Sequence, residues 1–353
     1  MKAKNVATTL AILAATLYAI NVPISKLLLK HISTIILAGL LYLGAGIGMI
    51  VFVYARKLLG KESKKEPLTK KELPYTIAMV ILDIFAPILL MMGIANTNSA
   101  NVSLLNNFEI VATSLIALII FKEVISKKLW IAIGLVVIAS TILSFEGTDA
   151  FSFSKGSLFV MGACICWGFE NNCTKMISNK SSEEIVIIKG IFSGLGSLIV
   201  GFIIGESLPS IIWILGALAL GFVSYGLSIN FYIMAQKDLG AAKTSAYYSV
   251  APFLGVAFSM IFIGERPTLQ FYIALAIMVL STIIMVKDTI ELQHTHEHEH
   301  RHSHEHSHGD LVHTHEHSHK HVHIHTHNKY EEQHTHKHDD VLDGHEHMHL
   351  QNM

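Results

Sequence analysis

Charge is what this sequence has least of. Only 15% of its 353 residues are Asp, Glu, Lys or Arg, against 51% hydrophobic, whereas a soluble domain usually carries about a quarter charged residues. The shortage argues against an ordinary soluble globular chain. Cysteine is scarce too. Cys164, Cys166 and Cys173 share one apolar segment, while disulfide frameworks belong to loop-rich secreted domains, so buried thiols are expected. The formal net charge of −1 gives no reason to expect a nucleic-acid partner. A phosphate loop, a nucleophile elbow and a catalytic zinc motif are all missing, so an enzyme gains no support. A cleavable leader is not expected either. The apolar run behind Met1–Asn5 is long enough to span a bilayer and lacks a small-residue cleavage site.

What the chain does have is apolar length. From Val6 to Val286 nearly every stretch of about 20 residues is apolar, the length an α-helix needs to cross a hydrocarbon core. Soluble core helices would show a polar face every 3.6 residues, and most of these stretches show none. Ten spans are predicted, at 6–29, 33–55, 73–95, 98–121, 128–145, 156–178, 183–205, 210–235, 241–263 and 268–287. The expected fold class is therefore all-α integral membrane, with the lipid bilayer as first partner. The one long connection, Arg56–Glu72, holds seven Lys/Arg against three Glu. Under the positive-inside rule it is cytoplasmic, which puts both termini in the cytoplasm of a multi-pass protein of the cytoplasmic membrane. Lys122, Lys127 and Lys128 then fall inside, and Glu146, Asp149 and Glu206 outside.

The spans divide into two similar sets. A slide of 142 residues aligns Glu123 with Glu265 and Ala100 with Ala242; a slide of 149 aligns Tyr18-Ala19-Ile20 through Lys26 with Trp167-Gly168-Phe169 through Lys175. The second and seventh spans are both glycine-rich: Gly39, Gly44, Gly46 and Gly48, then Gly190, Gly194 and Gly196. Such glycines allow close helix approach. Five helices per unit is an odd number, so the second copy must lie inverted, a recurrent transporter design with its site near the midplane. The domains read as 1–145, 146–288 and a tail, 289–353.

At Gly240-Ala241-Ala242, Tyr248-Ser249-Val250-Ala251-Pro252-Phe253 and Ile263-Gly264-Glu265-Arg266-Pro267-Thr268, the chain resembles the EamA-like branch of the drug/metabolite transporter superfamily. The resemblance covers roughly residues 5–287. The first half departs from it, with Ile110 where the proline is expected and Lys122 in place of the glycine. The resemblance implies ten helices, a central cavity and alternating-access transport of a small molecule; it names no cargo.

Charged groups at mid-bilayer are costly and usually line a cavity or bind something. Asp83, Glu109 and Glu170 fall near span centres, and Asn106, Glu109 and Thr113 lie at i, i+3 and i+7 on one helix face. These are candidates for substrate binding or proton coupling; a hydrogen-bonded carboxylate gluing two helices is the plainer reading. Asn21, Asn171, Tyr225, Asn230 and Tyr248 are further cavity candidates, with Tyr247 beside them. Pro23, Pro87 and Pro252 are hinge candidates, because proline frees a carbonyl and kinks a membrane helix. Cys166, Glu170 and Cys173 make a stripe with metal-binding chemistry, but one helix supplies only part of a coordination shell. Lys26 and Lys175 are expected to snorkel, or else to meet an anionic solute. Glu123 and Glu265 are expected to cap or brace loops.

All but one of the 23 histidines lie in the tail, where His-x-His repeats nearly throughout. The first run is His294, His296, His298, His300, His302, His304, His306 and His308; the second is His313, His315, His317, His319, His321, His323, His325 and His327. Alternation puts every imidazole on one face of a strand and Thr, Glu, Ser and Lys on the other, which leaves no apolar surface to fold around. The tail is expected to be disordered without a ligand. Imidazole is a common ligand for Zn, Ni, Co and Cu, so multi-site binding of these divalent metals is expected. A tail gaining charge as pH falls toward about 6 is the alternative. Three functions stay open: an exporter of small metabolites such as amino acids, a transporter of the divalent metal itself, and a membrane-anchored metal store or sensor. No cofactor is required by the first.

Overall fold

The computed structural model describes residues 2–60, 67–122, 125–145, 154–177, 180–239, 244, 247–308, 311–326, 333–337 and 346–350. It resolves into two units, residues 1–286 and residues 287–353. In the first, every described span of the sequence reading is helical. Helices α1 (Lys2–Ala19) and α2 (Asn21–Leu28) form the first, and α3 (Thr34–Leu58) the second. Then come α4 (Leu73–Asn96), α5 (Ser99–Leu105) with α6 (Phe108–Phe121), and α7 (Lys127–Ser144). The second half repeats the order with α8 (Lys155–Met176), α9 (Ser182–Ile188) with α10 (Gly194–Ile204), and α11 (Ile211–Gly221) with α12 (Ser228–Leu239). Helices α13 (Ala251–Ile263) and α14 (Leu269–Leu292) close it. Eight helical segments of the described residues are long and apolar enough to cross a membrane. Helix α8 and the shorter α13 stand beside them.

Large apolar side chains face outward: Ile119, Ile203, Ile211, Ile261 and Leu269 are all exposed. That is the surface a lipid-embedded bundle presents. Because lipid is as apolar as leucine, packing and polar contacts hold the helices together rather than water exclusion. Glycine does much of this. A Cβ on Gly44 would overlap the backbone of Leu218, and one on Gly221 the carbonyl of Leu41, so α3 lies backbone to backbone against α11. Helix α4 packs on α8, and α1 on α12 and α13. Helices of one half thus find their principal neighbours in the other.

Several spans are discontinuous. The fourth breaks at Asn106–Asn107, and the ninth resumes at Ala251 after a turn at Ser249–Val250. With the slide of 142 the two breaks fall within a residue of each other. The ends correspond too. Lys122 (φ 55°) caps α6 and Gly264 (φ 74°) caps α13, both left-handed. Wide, π-type turns interrupt the seventh span at Lys189–Ser193 and the eighth at Phe222–Leu227, and such turns frequently mark functional sites.

The prolines take different places from one another. Pro23 and Pro252 lie in the first turns of α2 and α13, where the backbone N–H has no helical acceptor anyway. Only Pro87 sits inside a continuous helix. It has no N–H to give the carbonyl of Asp83, four residues earlier.

Two carboxylates fasten the bundle across its halves. Glu265 accepts from the Ser99 N–H and hydroxyl and from the Ala100 N–H, each at 2.8 Å. Glu206 accepts from Ile35 N–H at 3.0 Å and Ile36 N–H at 2.9 Å. Each satisfies a helix N-terminus and complements its dipole. The capping expected of Glu265 is found; Glu123, its counterpart, lies outside the described residues, as do Glu146, Asp149 and Gly240-Ala241-Ala242. Lys26, expected to snorkel, instead donates to the carbonyls of Ile94 and Thr97 at the end of α4. Unsatisfied helix-terminal carbonyls offer it a closer partner than the headgroups do.

In the second unit, strands Gln293–His308 and Leu311–Thr326 pair antiparallel, as do Gln333–Lys337 and Glu346–Leu350. The sequence reading expected no regular structure here. Two-residue alternation is itself a strand pattern, however, and pairing satisfies the backbone without any apolar core. His294 stands opposite His325, and histidine faces histidine from there to His306 and His313. His327 lies outside the described residues.

Candidate functional site

The polar residues predicted for mid-membrane form two adjoining clusters. The first is an ion-paired triad. Asp83 of α4 is 0% exposed and Glu170 of α8 only 2%. Between them stands Lys189, its Nζ 3.1 Å from Asp83 Oδ2 and 2.9 Å from Glu170 Oε1. Tyr42 of α3 donates to Asp83 Oδ1 at 3.0 Å, Trp167 donates to the Tyr42 hydroxyl at 3.3 Å, and Thr174 donates to Glu170. The wide turn at Lys189–Ser193 carries the lysine at its start. A charge in hydrocarbon survives only with partners, and this one binds both halves of the chain: Asp83 and Tyr42 come from the first, Glu170, Trp167 and Lys189 from the second.

The second cluster surrounds Glu109. Asn171 donates to Glu109 Oε1 at 2.7 Å and to the Thr113 hydroxyl at 3.3 Å. Glu109 lies in the first turn of α6, immediately after the Asn106–Asn107 break, so the helix N-terminus favours its negative charge. Among the described residues no cation lies within ion-pairing distance of it. Asn106, in the break, is 9% exposed, and among the described residues its Oδ1 lacks a hydrogen-bond partner.

Tyrosines extend the first cluster. The ring of Tyr225 lies 5.3 Å from that of Tyr42 and 6.1 Å from that of Tyr18, and Tyr18 is 5.8 Å from Tyr248. Asn21 donates to the Tyr225 hydroxyl at 2.9 Å, and the hydroxyls of Ser228 and Tyr248 are 3.3 Å apart. Two candidates stand aside: Asn230 donates to Met234 Sδ one turn along its own helix, and Tyr247 is exposed. The Cys166–Glu170–Cys173 stripe is not gathered either. Glu170 is held by Lys189 and Thr174, and among the described residues no three His, Cys, Asp or Glu side chains are grouped to hold a metal.

Sequence reasoning missed Lys189, Tyr42, Trp167 and the part taken by Tyr18. Two buried carboxylates at similar depth were the signal for the lysine, since each needs a cation within reach and Lys189 lies six residues inside its span.

A polytopic helical bundle with a polar network built from both halves defines an integral membrane protein of transporter type. The EamA-like transporter family model matches residues 5–145 and 154–287, and the chain belongs to that family. It is 24% identical over 280 residues to an "Uncharacterized transporter" of Methanothermobacter thermautotrophicus, covering 72% of this chain and 79% of that one. It is 25% identical over 224 residues to "Uncharacterized transporter YyaM" of Bacillus subtilis, covering 60% and 70%. A crystal structure matches the fold with a TM-score of 0.58 at 15% identity, over 83% of this chain and 98% of the other.

Proposed function

We propose that the chain is a secondary transporter that exports small metabolites such as amino acids across the cytoplasmic membrane by alternating access. In this reading α8 and α13 also cross the bilayer. That gives ten spans in two inverted halves, with both termini cytoplasmic. The observation that carries it is the triad of Asp83, Lys189 and Glu170, a charged network at a depth where charge is tolerated only beside a cavity or partner. Helix breaks at corresponding places in the two halves support a moving core. The tail binds Zn, Ni, Co or Cu as an accessory.

A second reading makes the divalent metal the cargo, and the pairing of histidine with histidine along the tail strands favours it. Against it, Asp83 and Glu170, the carboxylates best placed to share a metal, share an ammonium instead. Flux into inverted membrane vesicles separates the two. Labelled amino acid and labelled zinc are offered to the full chain and to a chain lacking residues 289–353. We expect driven amino-acid accumulation with both chains, and zinc bound only when the tail is present. Zinc accumulated in the lumen would reverse the assignment.

A further inference from the structure

From the donor and acceptor inventory around Glu109 we infer that the cargo is recognised through a protonated primary amine, held by Glu109 and Asn106, with the ring cluster of Tyr18, Tyr225 and Tyr248 as an aromatic wall. The inference rests on the transport reading and specifies its substrate class.

Three observations carry it. First, the three mid-membrane carboxylates are not equivalent. Asp83 and Glu170 share the Lys189 ammonium. Among the described residues, Glu109 has only the neutral amide of Asn171, on one of its two oxygens. It is also partly exposed where Asp83 and Glu170 are buried. An ionised carboxylate in a low-dielectric region is costly without a cation, so the missing cation is assigned to the ligand.

Second, among the described residues Asn106 Oδ1 is a buried acceptor with no donor, which is costly if nothing fills it. The Glu109 N–H donates to the Asn106 carbonyl at 3.1 Å. The turn joining them is therefore helical, and the two side chains, three residues apart, share a face. A carboxylate oxygen and an amide oxygen on one face, both short of donors, match a group with several N–H bonds and no lone pair. A primary ammonium is such a group. A carboxylate or phosphate would set its own acceptor oxygens against these two.

Third, the rings of Tyr18, Tyr225 and Tyr248, drawn from both halves of the chain, form a connected cluster. Aromatic faces attract organic cations, most strongly where water is excluded. A bare alkali ion would use the two oxygens but gain less from a wall of rings.

Ligand binding to the full chain in lipid nanodiscs tests this, using calorimetry with leucine, its decarboxylated analogue isoamylamine, its deaminated analogue isocaproate, and sodium chloride. We expect heat from leucine and isoamylamine and none from isocaproate or sodium. Glu109→Gln, a near-isosteric change, should weaken amine binding about 10- to 100-fold, the loss of one charge-assisted hydrogen bond. Asn106→Ala should weaken it less, and Glu109→Asp should restore part. Thermal melting of each unliganded variant shows that it is folded. Isocaproate binding as well as isoamylamine, sodium as the only ligand bound, no primary amine bound, or amine binding unchanged in Glu109→Gln would each overturn the inference. Flux measured in parallel separates the two readings: transport of solutes without an amine leaves the transporter standing and removes this site, while amine binding without flux does the reverse.

Discussion

Replacing Lys189 with methionine keeps the length of the side chain and removes the ammonium that Asp83 and Glu170 both face. At 3.1 and 2.9 Å, and with an effective dielectric of about 20, each attraction is worth roughly 5 kcal/mol before desolvation is counted. Desolvation and the mutual repulsion of the carboxylates offset much of that. What remains is the cost of stranding buried charge, about 3–5 kcal/mol when one partner of a buried pair is removed. We therefore expect Lys189→Met to destabilise the bundle by that amount. The Asp83→Asn, Glu170→Gln, Lys189→Met triple variant should recover most of the loss, because no charge is then left unpaired. Unfolding in mixed micelles by a denaturing detergent measures it, read by tryptophan fluorescence. Trp167 donates to Tyr42, which donates to Asp83, so the probe is wired to the site. A loss below about 1 kcal/mol, the range of exposed ion pairs, would show that the lysine is solvated and that the triad is no buried network. So would a triple variant no more stable than Lys189→Met alone.

Lys122 occupies the left-handed region that Gly264 fills in the other half. Lys122→Gly should stabilise the protein by about 1 kcal/mol, the strain a side chain bears there, and an unchanged unfolding midpoint would argue against that strain. Gly221→Val should push α3 from α11, because its Cβ would overlap the Leu41 carbonyl. A loss of about 3 kcal/mol or more is expected from overpacking against backbone, seen as reduced yield of monodisperse protein. Gly216→Ala, at a position open enough to admit a Cβ, serves as its control and should be near neutral.

The bundle was legible because bilayer thickness sets a length that hydropathy reveals directly, and the boundaries of α3, α4 and the whole eighth span, Ile211–Ala235, fall close to those predicted. The glycines of the second and seventh spans also announced their role, since a residue with no side chain in a lipid-facing run has little to do except admit a neighbour. The three carboxylates stood out for the opposite reason, as costs needing an explanation. Their partners were harder. Lys189 lies near enough to a span end to pass for an anchor at the headgroups, and only the wide turn it begins, invisible in periodicity, carries it to the carboxylates. Tyr42 and Trp167 look like ordinary core aromatics until their polar atoms are placed. Pairing in the tail went unread because the absence of an apolar face was weighed above the two-residue alternation that a strand requires.

The glycine face of α3 has a consequence for how the protein is made. Its partners, α10 and α11, are translated long after it. While the ribosome is still on α4 to α8, the first half must sit in the bilayer with an open groove that only later residues can fill. A chain stopped after Ser144 would keep that groove permanently and offer it to any complementary surface nearby. Two half-genes expressed together should therefore rebuild the whole, each half stabilised by the other. Either half alone is what membrane quality-control proteases would recognise and remove.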